Sequence, residues 1–252
     1  MTGSLDGRVA VVSGAAQGIG AGYASALARE GATVVVADIN ETGAAATAKA
    51  IEAEGGRAIA LGVDVSSRES TLACAARVLA ELGPAHILVN NAAIYHSMRT
   101  DRQLDVDIDY WRKVFSVNVD GALLMTQAFA PLLIQAGWGR VVMQTSTAPY
   151  LGTGGHYGVS KLAIIGLTRG FAKELGPHGI TVNAIAPGPI FTEATELVVP
   201  AARIDALLAQ QAIPLRAQPD ALTGTLLYLC GDGSAWVTGQ TLVVDGGAAA
   251  RL

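Results

Sequence analysis

Tyr157 and Lys161 stand four residues apart in a segment whose apolar positions, Ile164, Leu167, Phe171 and Leu175, keep a helical period. Side chains at i and i+4 share one side of a helix and come within mutual reach. A free phenol titrates near pH ~10, too high for easy proton exchange at neutral pH. An ammonium beside it favours the phenolate and lowers that value. The pair therefore has the makings of a proton-transfer site, with Tyr157 as base in one direction and acid in the other. The spacing alone also suits a plain exposed helix face, so other residues must join it. Ser146 ends the run Arg140–Thr145. Its hydroxyl can hold a reacting oxygen and stabilise charge that develops there. Thr145 and Thr147 offer the same group on either side. Asn118 falls inside a long helical stretch that starts near Asp107, where an Asn is unfavourable unless its amide is used.

A second constellation opens the chain. Val9–Val12 runs into Ser13-Gly14-Ala15-Ala16-Gln17-Gly18-Ile19-Gly20, and an Ala-rich stretch of helical length follows. Strand, glycine turn and helix in this order make a cradle for phosphates. Gly14 allows the sharp turn, Gly18 lets a pyrophosphate approach the backbone, and Gly20 allows close helix–strand packing. The next apolar run ends at Asp38, eighteen residues past Gly20. A carboxylate there can accept hydrogen bonds from both adenosine ribose hydroxyls and repels a 2′-phosphate. The glycine loop lacks an Arg or Lys to welcome that phosphate. The expectation is NAD rather than NADP. As a structural alternative, Asp38 could merely cap the next helix.

The elements that must position these groups alternate. Strands are expected at Arg8–Ser13, Thr33–Asp38, Arg57–Val63, Ile87–Asn90, Arg140–Ser146, Thr181–Ala186 and Thr241–Val244. Helices are expected near 18–30, 41–54, 67–82, 107–136, 156–176 and 219–231, with Asn40 as the N-cap of the second. Near-continuous apolar strands between helices predict an α/β fold: a three-layer, doubly wound parallel sheet of seven strands with helices on both faces. The whole chain, 1–252, reads as one domain. The stretch from about 188 to 212 breaks the rhythm and reads as a lid over a site.

Composition narrows the function. The chain is 51% hydrophobic and 15% charged, with 17 basic and 21 acidic residues. That is rich in core, which excludes a disordered chain. A net charge of −4 without Lys/Arg runs is a poor basis for binding nucleic acid or an anionic membrane. No apolar run reaches a membrane span of ~18 residues. The N-terminal residues show no signal-peptide core, so a cytoplasmic protein is expected. Cys74 and Cys230 read as buried reduced thiols. Four histidines without ligand spacing predict no metal site. Trp111, Trp138 and Trp236 read as packing residues. His156, next to Tyr157, reads either as pocket lining or as a solvated residue at a helix start.

The glycine spacing G-x-x-x-G-x-G, Asp64-Val65, Asn90-Asn91-Ala92-Ala93, Ser146, and Tyr157 with Lys161 together resemble the short-chain dehydrogenase/reductase family, from about Gly7 to Gly247. Ser13 stands where Thr is usual, and Ala93 where Gly is usual. The resemblance implies a Rossmann-like fold and a catalytic set of Asn118, Ser146, Tyr157 and Lys161, with Asn118 kinking its helix and holding a water that links Lys161 to solvent. It implies cofactor contacts from Gly14, Gln17, Gly18, Ile19, Gly20, Asp38, Ile39, Asp64, Val65, Asn90, Ala92, Tyr157, Lys161, Pro187, Gly188, Ile190 and Thr192. The step from Ser146 to Tyr157 is eleven residues, two shorter than is usual in the family. The shortening falls in Thr147–His156, a loop that should border the substrate.

Ligands of open parallel sheets bind beyond the carboxyl ends of the strands. The expected pocket is therefore Tyr95, His96, Ser146, Tyr150 and Leu151, with Ala194 and Leu197 from the lid. This apolar lining suits a neutral hydrophobic alcohol or ketone. Gly137–Arg140, Asn91–Tyr95 and Gln211–Pro214 look most like relatives that oxidise aryl or cyclic secondary alcohols, such as 1-phenylethanol dehydrogenases. A 3-oxoacyl-thioester reductase or NAD-linked 3-hydroxyacyl-CoA dehydrogenase is the alternative, and a non-catalytic NAD-binding sensor is a third. By resemblance the protein is a homotetramer, with a dimer next.

Overall fold

The computed structural model describes residues 4–95, 98–99, 101–192 and 201–249, with only the backbone of 201–203. Seven parallel strands form one sheet: β1 (Val9–Ser13), β2 (Thr33–Asp38), β3 (Arg57–Gly62), β4 (Ile87–Asn90), β5 (Gly139–Gln144), β6 (Ile180–Pro187) and β7 (Thr241–Val244). Their order is β3-β2-β1-β4-β5-β6-β7. The order reverses between β1 and β4, and this opens a crevice at the strands' carboxyl ends.

Alternation along each strand divides the core in two. Val9 and Val11 join Leu88, Val141, Met143 and Val182 on one face. Ala10 and Val12 join Val34, Val36, Val142 and Ile185 on the other. Helices α1 (Gly18–Arg29) and α2 (Glu41–Ala53) cover the second face with α9 (Asp220–Cys230). The first face is covered by α3 (Arg68–Leu82), α5 (Gly121–Ala136) and α7 (Gly155–Leu175). The doubly wound, three-layer expectation holds, and the edges of the expected elements move by one or two residues.

The local signals are borne out where they rest on caps. Asn40 Oδ1 accepts the Gly43 N–H at 3.1 Å, and Asp107 Oδ1 accepts the Tyr110 N–H at 2.9 Å. The expected 107–136 helix is interrupted. α4 (Ile108–Phe115) passes through a π-turn at Ser116–Asp120 into α5. The stretch Ile108–Ala136 is long and apolar enough by length and composition to cross a bilayer, yet α5 seals the sheet as a core helix does. Among the described residues, the short α-helices α6 (Ala148–Leu151) and α8 (Ala201–Leu208) were not foreseen.

One of the three tryptophans departs from its expected packing role. Trp236 is 99% exposed and supports no core. Trp138 lies between two guanidiniums, Arg8 at 3.9 Å and Arg140 at 4.2 Å from its ring centroid. Trp111 stacks on Phe115, ring centroids 4.5 Å apart.

Candidate active site

The glycine loop is shaped by its neighbours. Gly14 has φ +65°, and a Cβ there would lie 2.7 Å from Ala92 Cα. A Cβ on Gly20 would run into the Gly14 carbonyl oxygen. Gly18, at φ +59°, faces the Thr192 side chain at 3.6 Å from where a Cβ would lie. The loop and the segment after β6 thus meet across the crevice. Gln17 is the N-cap of α1, and no side chain caps that helix or adds an acid to its first turn. Its amides and positive dipole end suit phosphate oxygens. Ile19 packs against the core on the α1 face.

Asp38, at the end of β2, is not the cap of α2. Its Oδ2 accepts the Ala16 N–H and its Oδ1 the Asn40 N–H, both at 2.9 Å. The carboxylate is thereby fixed beside the loop, with Ile39, 72% exposed, at the lip. Asp64 Oδ1 accepts from Ser66, and Val65 is buried against Gly121.

Asn90 differs from its expected part. Its side-chain nitrogen donates to Thr126 Oγ1 at 2.9 Å and faces Met143 Sδ at 3.2 Å, while its buried Oδ1 has no protein partner. Its neighbour Asn91 is the residue that braces the loop. Asn91 Nδ2 donates to the carbonyls of Ser13 and Gly14 at 3.0 and 2.9 Å. Ser13 Oγ accepts the Asn91 and Ala92 amides at 3.1 and 3.2 Å. Beyond β6, Thr147 donates twice to the Pro187 carbonyl, Gly188 N–H bonds Val244, and Ile190 is buried.

The chemical groups converge at the ends of β5 and α7. Ser146 follows β5, and its hydroxyl lies close enough to the Tyr157 phenol to favour the ionised form. Ser146 Oγ also accepts the Ala148 N–H at 3.1 Å. Asn118 sits in the π-turn, where both ends of its amide are engaged: Oδ1 accepts the Ile94 N–H at 2.7 Å, and Nδ2 donates to Ser160 Oγ at 3.1 Å. Ser160 in turn donates to the Tyr157 carbonyl at 2.7 Å.

Lys161 differs from the simple i, i+4 picture. Its ammonium lies 5.6 Å from the Tyr157 ring centroid and donates to the Gln144 carbonyl at 2.8 Å. Burial pushes its pKa down to about 8. Burial pushes the Tyr157 phenol above its ordinary value, Tyr95 adds to the rise, and the Ser146 hydroxyl opposes it. Proton release from Tyr157 therefore needs more positive charge than Lys161 brings to it here.

Of the expected pocket, Tyr95 packs on Tyr157 with ring centroids 5.3 Å apart. Tyr150 and Leu151 lie on α6 with exposed side chains. His96, Ala194 and Leu197 lie outside the described residues, as does the lid segment 193–200. His156 neither lines the pocket nor meets solvent. It is buried, edge-on to Tyr110 at 5.3 Å between centroids. Sequence reasoning missed Asn91 as the brace, Ser160 and the Gln144 carbonyl. Only the tandem Asn90-Asn91 gave a clue to the first.

A family profile described as Enoyl-(Acyl carrier protein) reductase matches residues 14–249. An uncharacterized oxidoreductase of Mycobacterium tuberculosis is 50% identical over 249 residues, 98% of this chain and 99% of that one. A 3-oxoacyl-[acyl-carrier-protein] reductase of Pseudomonas aeruginosa is 36% identical, covering 97% of this chain and 98% of that one. A solved structure from Beutenbergia cavernae superposes with a TM-score of 0.91, at 34% identity and 98% coverage of each chain. It is provisionally assigned as an NAD(P)-dependent gluconate 5-dehydrogenase and carries NADP at low occupancy.

Proposed function

Because the chain belongs to the short-chain dehydrogenase/reductase family and is an oxidoreductase of that family, we propose that it interconverts a hydrophobic secondary alcohol and its ketone with NAD. The observation that carries this reading is the hydroxyl pair Ser146–Tyr157, set beneath the ring of Tyr95. Two hydroxyls converge where a carbonyl oxygen can accept from both, and an aromatic wall stands beside them.

The crevice fits a dinucleotide. The close approaches at Gly14 and Gly20 leave no room for side chains in the loop, and Asp38 is fixed beside it, which supports phosphates on the loop backbone and an adenosine ribose on Asp38 in this reading. Bound there, a nicotinamide dinucleotide supplies the two-electron donor or acceptor and, when oxidised, a positive charge near Tyr157. Gly14, Gln17, Gly18, Ile19 and Gly20 hold the phosphates in this reading. Asp38, Ile39, Asp64 and Val65 take the adenosine, and Asn90, Ala92, Pro187, Gly188, Ile190 and Thr192 line the nicotinamide end. Tyr157 gives a proton to the ketone oxygen or takes one from the alcohol. Ser146 holds that oxygen in place. Lys161 orients the ribose and, with the added positive charge, lowers the phenol. Asn118 secures the strand end carrying Ile94 and, through Ser160, the first turn of α7. The lid at 188–212, with Ala194 and Leu197, excludes water when it closes.

The choice of NAD rests on Asp38, whose charge opposes a 2′-phosphate. The substrate pocket is Tyr95, His96, Ser146, Tyr150 and Leu151 with the lid residues. The reading takes the protein to be a cytoplasmic homotetramer, or failing that a dimer.

The test follows NADH formation from NAD⁺, and NADPH formation from NADP⁺, over 1-phenylethanol enantiomers, cyclic alcohols, sugar alcohols and a 3-hydroxyacyl-CoA. Turnover of an apolar alcohol with NAD⁺ is expected. The similarity to the Pseudomonas reductase favours a second reading, a 3-oxoacyl-thioester reductase or 3-hydroxyacyl-CoA dehydrogenase. Activity confined to the acyl-CoA would establish it instead.

A further inference from the structure

Gln144 is where the two faces of the sheet meet at the site. It is the last residue of β5. Its side chain follows Val142 onto the α1 face, as the period of two requires. There Gln144 Oε1 accepts the hydroxyl of Tyr23 at 2.9 Å, across 121 residues of sequence. Tyr23 is fully buried on α1, five residues beyond Gly18. The main-chain carbonyl of Gln144 accepts the Lys161 ammonium, from α7 on the other face, at 2.8 Å. The next residue completes the grip: Thr145 Oγ1 donates to the Lys161 carbonyl at 2.6 Å.

A phenol hydroxyl and an amide in an apolar layer are costly unless they bond each other. An apolar pair would fill the space without that cost. What the polar pair adds is direction. It anchors the Gln144 side chain at the strand end, beside the peptide plane that the Thr145 N–H holds through its 2.9 Å bond to the Ile185 carbonyl, and so ties that plane to α1.

We propose that Tyr23 and Gln144 are positioning residues that hold the Lys161 ammonium in register with the nucleotide-binding helix. The proposal rests on the reading of Lys161 as the ammonium serving Tyr157. It makes α1 a support in each of its first two turns. The first turn faces the phosphates, and the second turn, through Tyr23, fixes the acceptor of the catalytic lysine. The groups facing this path are few: the Tyr157 ring beside Lys161, and the Cys230 thiol of α9 beside Tyr23. Burial pushes that thiol up to about 12, so it stays neutral and adds no charge to the path.

The chain has four lysines, Lys49, Lys113, Lys161 and Lys173, so lysine labelled with ¹³C at Cε gives a readable NMR titration of the whole protein. In the wild type Lys161 is expected to titrate near 8. A carbonyl that accepts from an ammonium favours the charged form, so a loosened carbonyl lowers the midpoint. In Tyr23→Phe the Lys161 midpoint is expected to fall to roughly 7.5 or below while the other three lysines keep theirs. Tyr23→Phe/Gln144→Met leaves no buried polar group unpaired, and it is expected to keep the lowered midpoint. An unchanged Lys161 midpoint in Tyr23→Phe would overturn the proposal. So would its return to the wild-type value in the double variant, because the single change would then have acted only through an orphaned amide. If Tyr23→Phe does not fold, the double variant alone decides. The titration needs no turnover, so an inactive wild type overturns the functional reading and leaves this one standing.

Discussion

Asp38 Oδ2 accepts the backbone N–H of Ala16 at 2.9 Å, so the acid that ends β2 is tied to the middle of the glycine loop. The bond fixes a negative charge at the rim of the crevice. Removing the charge removes the repulsion of a 2′-phosphate, although the loop also loses a brace. Asp38→Ala is expected to lower the ratio of kcat/KM for NAD⁺ over NADP⁺ by at least about tenfold, mainly through KM. The ratio comes from initial rates with each dinucleotide. An unchanged ratio would show that Asp38 sets the loop and not the cofactor.

A side chain at Gly20 has no room. Its Cβ would strike the Gly14 carbonyl oxygen and lie 2.6 Å from Asn91 Nδ2, the atom that braces the loop. Gly20→Ala is expected to weaken NADH binding by about 100-fold or more and to lower Tm by several degrees, as the loop is pushed from β4. NADH fluorescence titration and thermal unfolding check both. Binding within a factor of two of the wild type would contradict the account of the cradle.

Lys161 links stability to pH. Burial lowers its pKa from 10.5 to about 8. Between those values the unfolded chain holds more protons than the folded one, so this group makes stability rise with pH. Below about 8 its burial cost is present in full, up to roughly 3 kcal/mol. Lys161→Met removes that term and leaves the Gln144 carbonyl without its donor at every pH. The stability of the variant relative to wild type is therefore expected to decline as pH rises from 8 towards 10.5. Urea unfolding across that range measures the slope. A difference independent of pH would contradict the burial of a charged lysine.

The fold was readable because each strand carries its own signal. Runs such as Val34-Val35-Val36 have no polar face, and that happens only where helices cover both sides of a sheet. The catalytic pair was readable because i, i+4 spacing is local. What escaped reading depends on partners far away. The break at Asn118 was implied by the resemblance, but its partners, the Ile94 amide and Ser160, are not marked in the helical pattern of 107–136. Tyr23 looks like one more apolar residue of α1 until Gln144 is placed beside it. Trp236 was misjudged because an indole is usually covered, and only the packed chain shows it bare. Lys161 was assigned to the phenol by spacing, yet its bond runs to a carbonyl on β5, whose direction no spacing rule gives.

The central claim is that the Tyr157 hydroxyl moves the proton, and replacing that one atom tests it most directly. Tyr157→Phe keeps the ring against Tyr95 and leaves the glycine cradle untouched. With the best alcohol from the panel, NADH formation is expected to fall by about 10³-fold or more, while the Kd for NADH stays within about twofold. A variant that keeps turnover within tenfold of the wild type would contradict the account and place the proton transfer elsewhere.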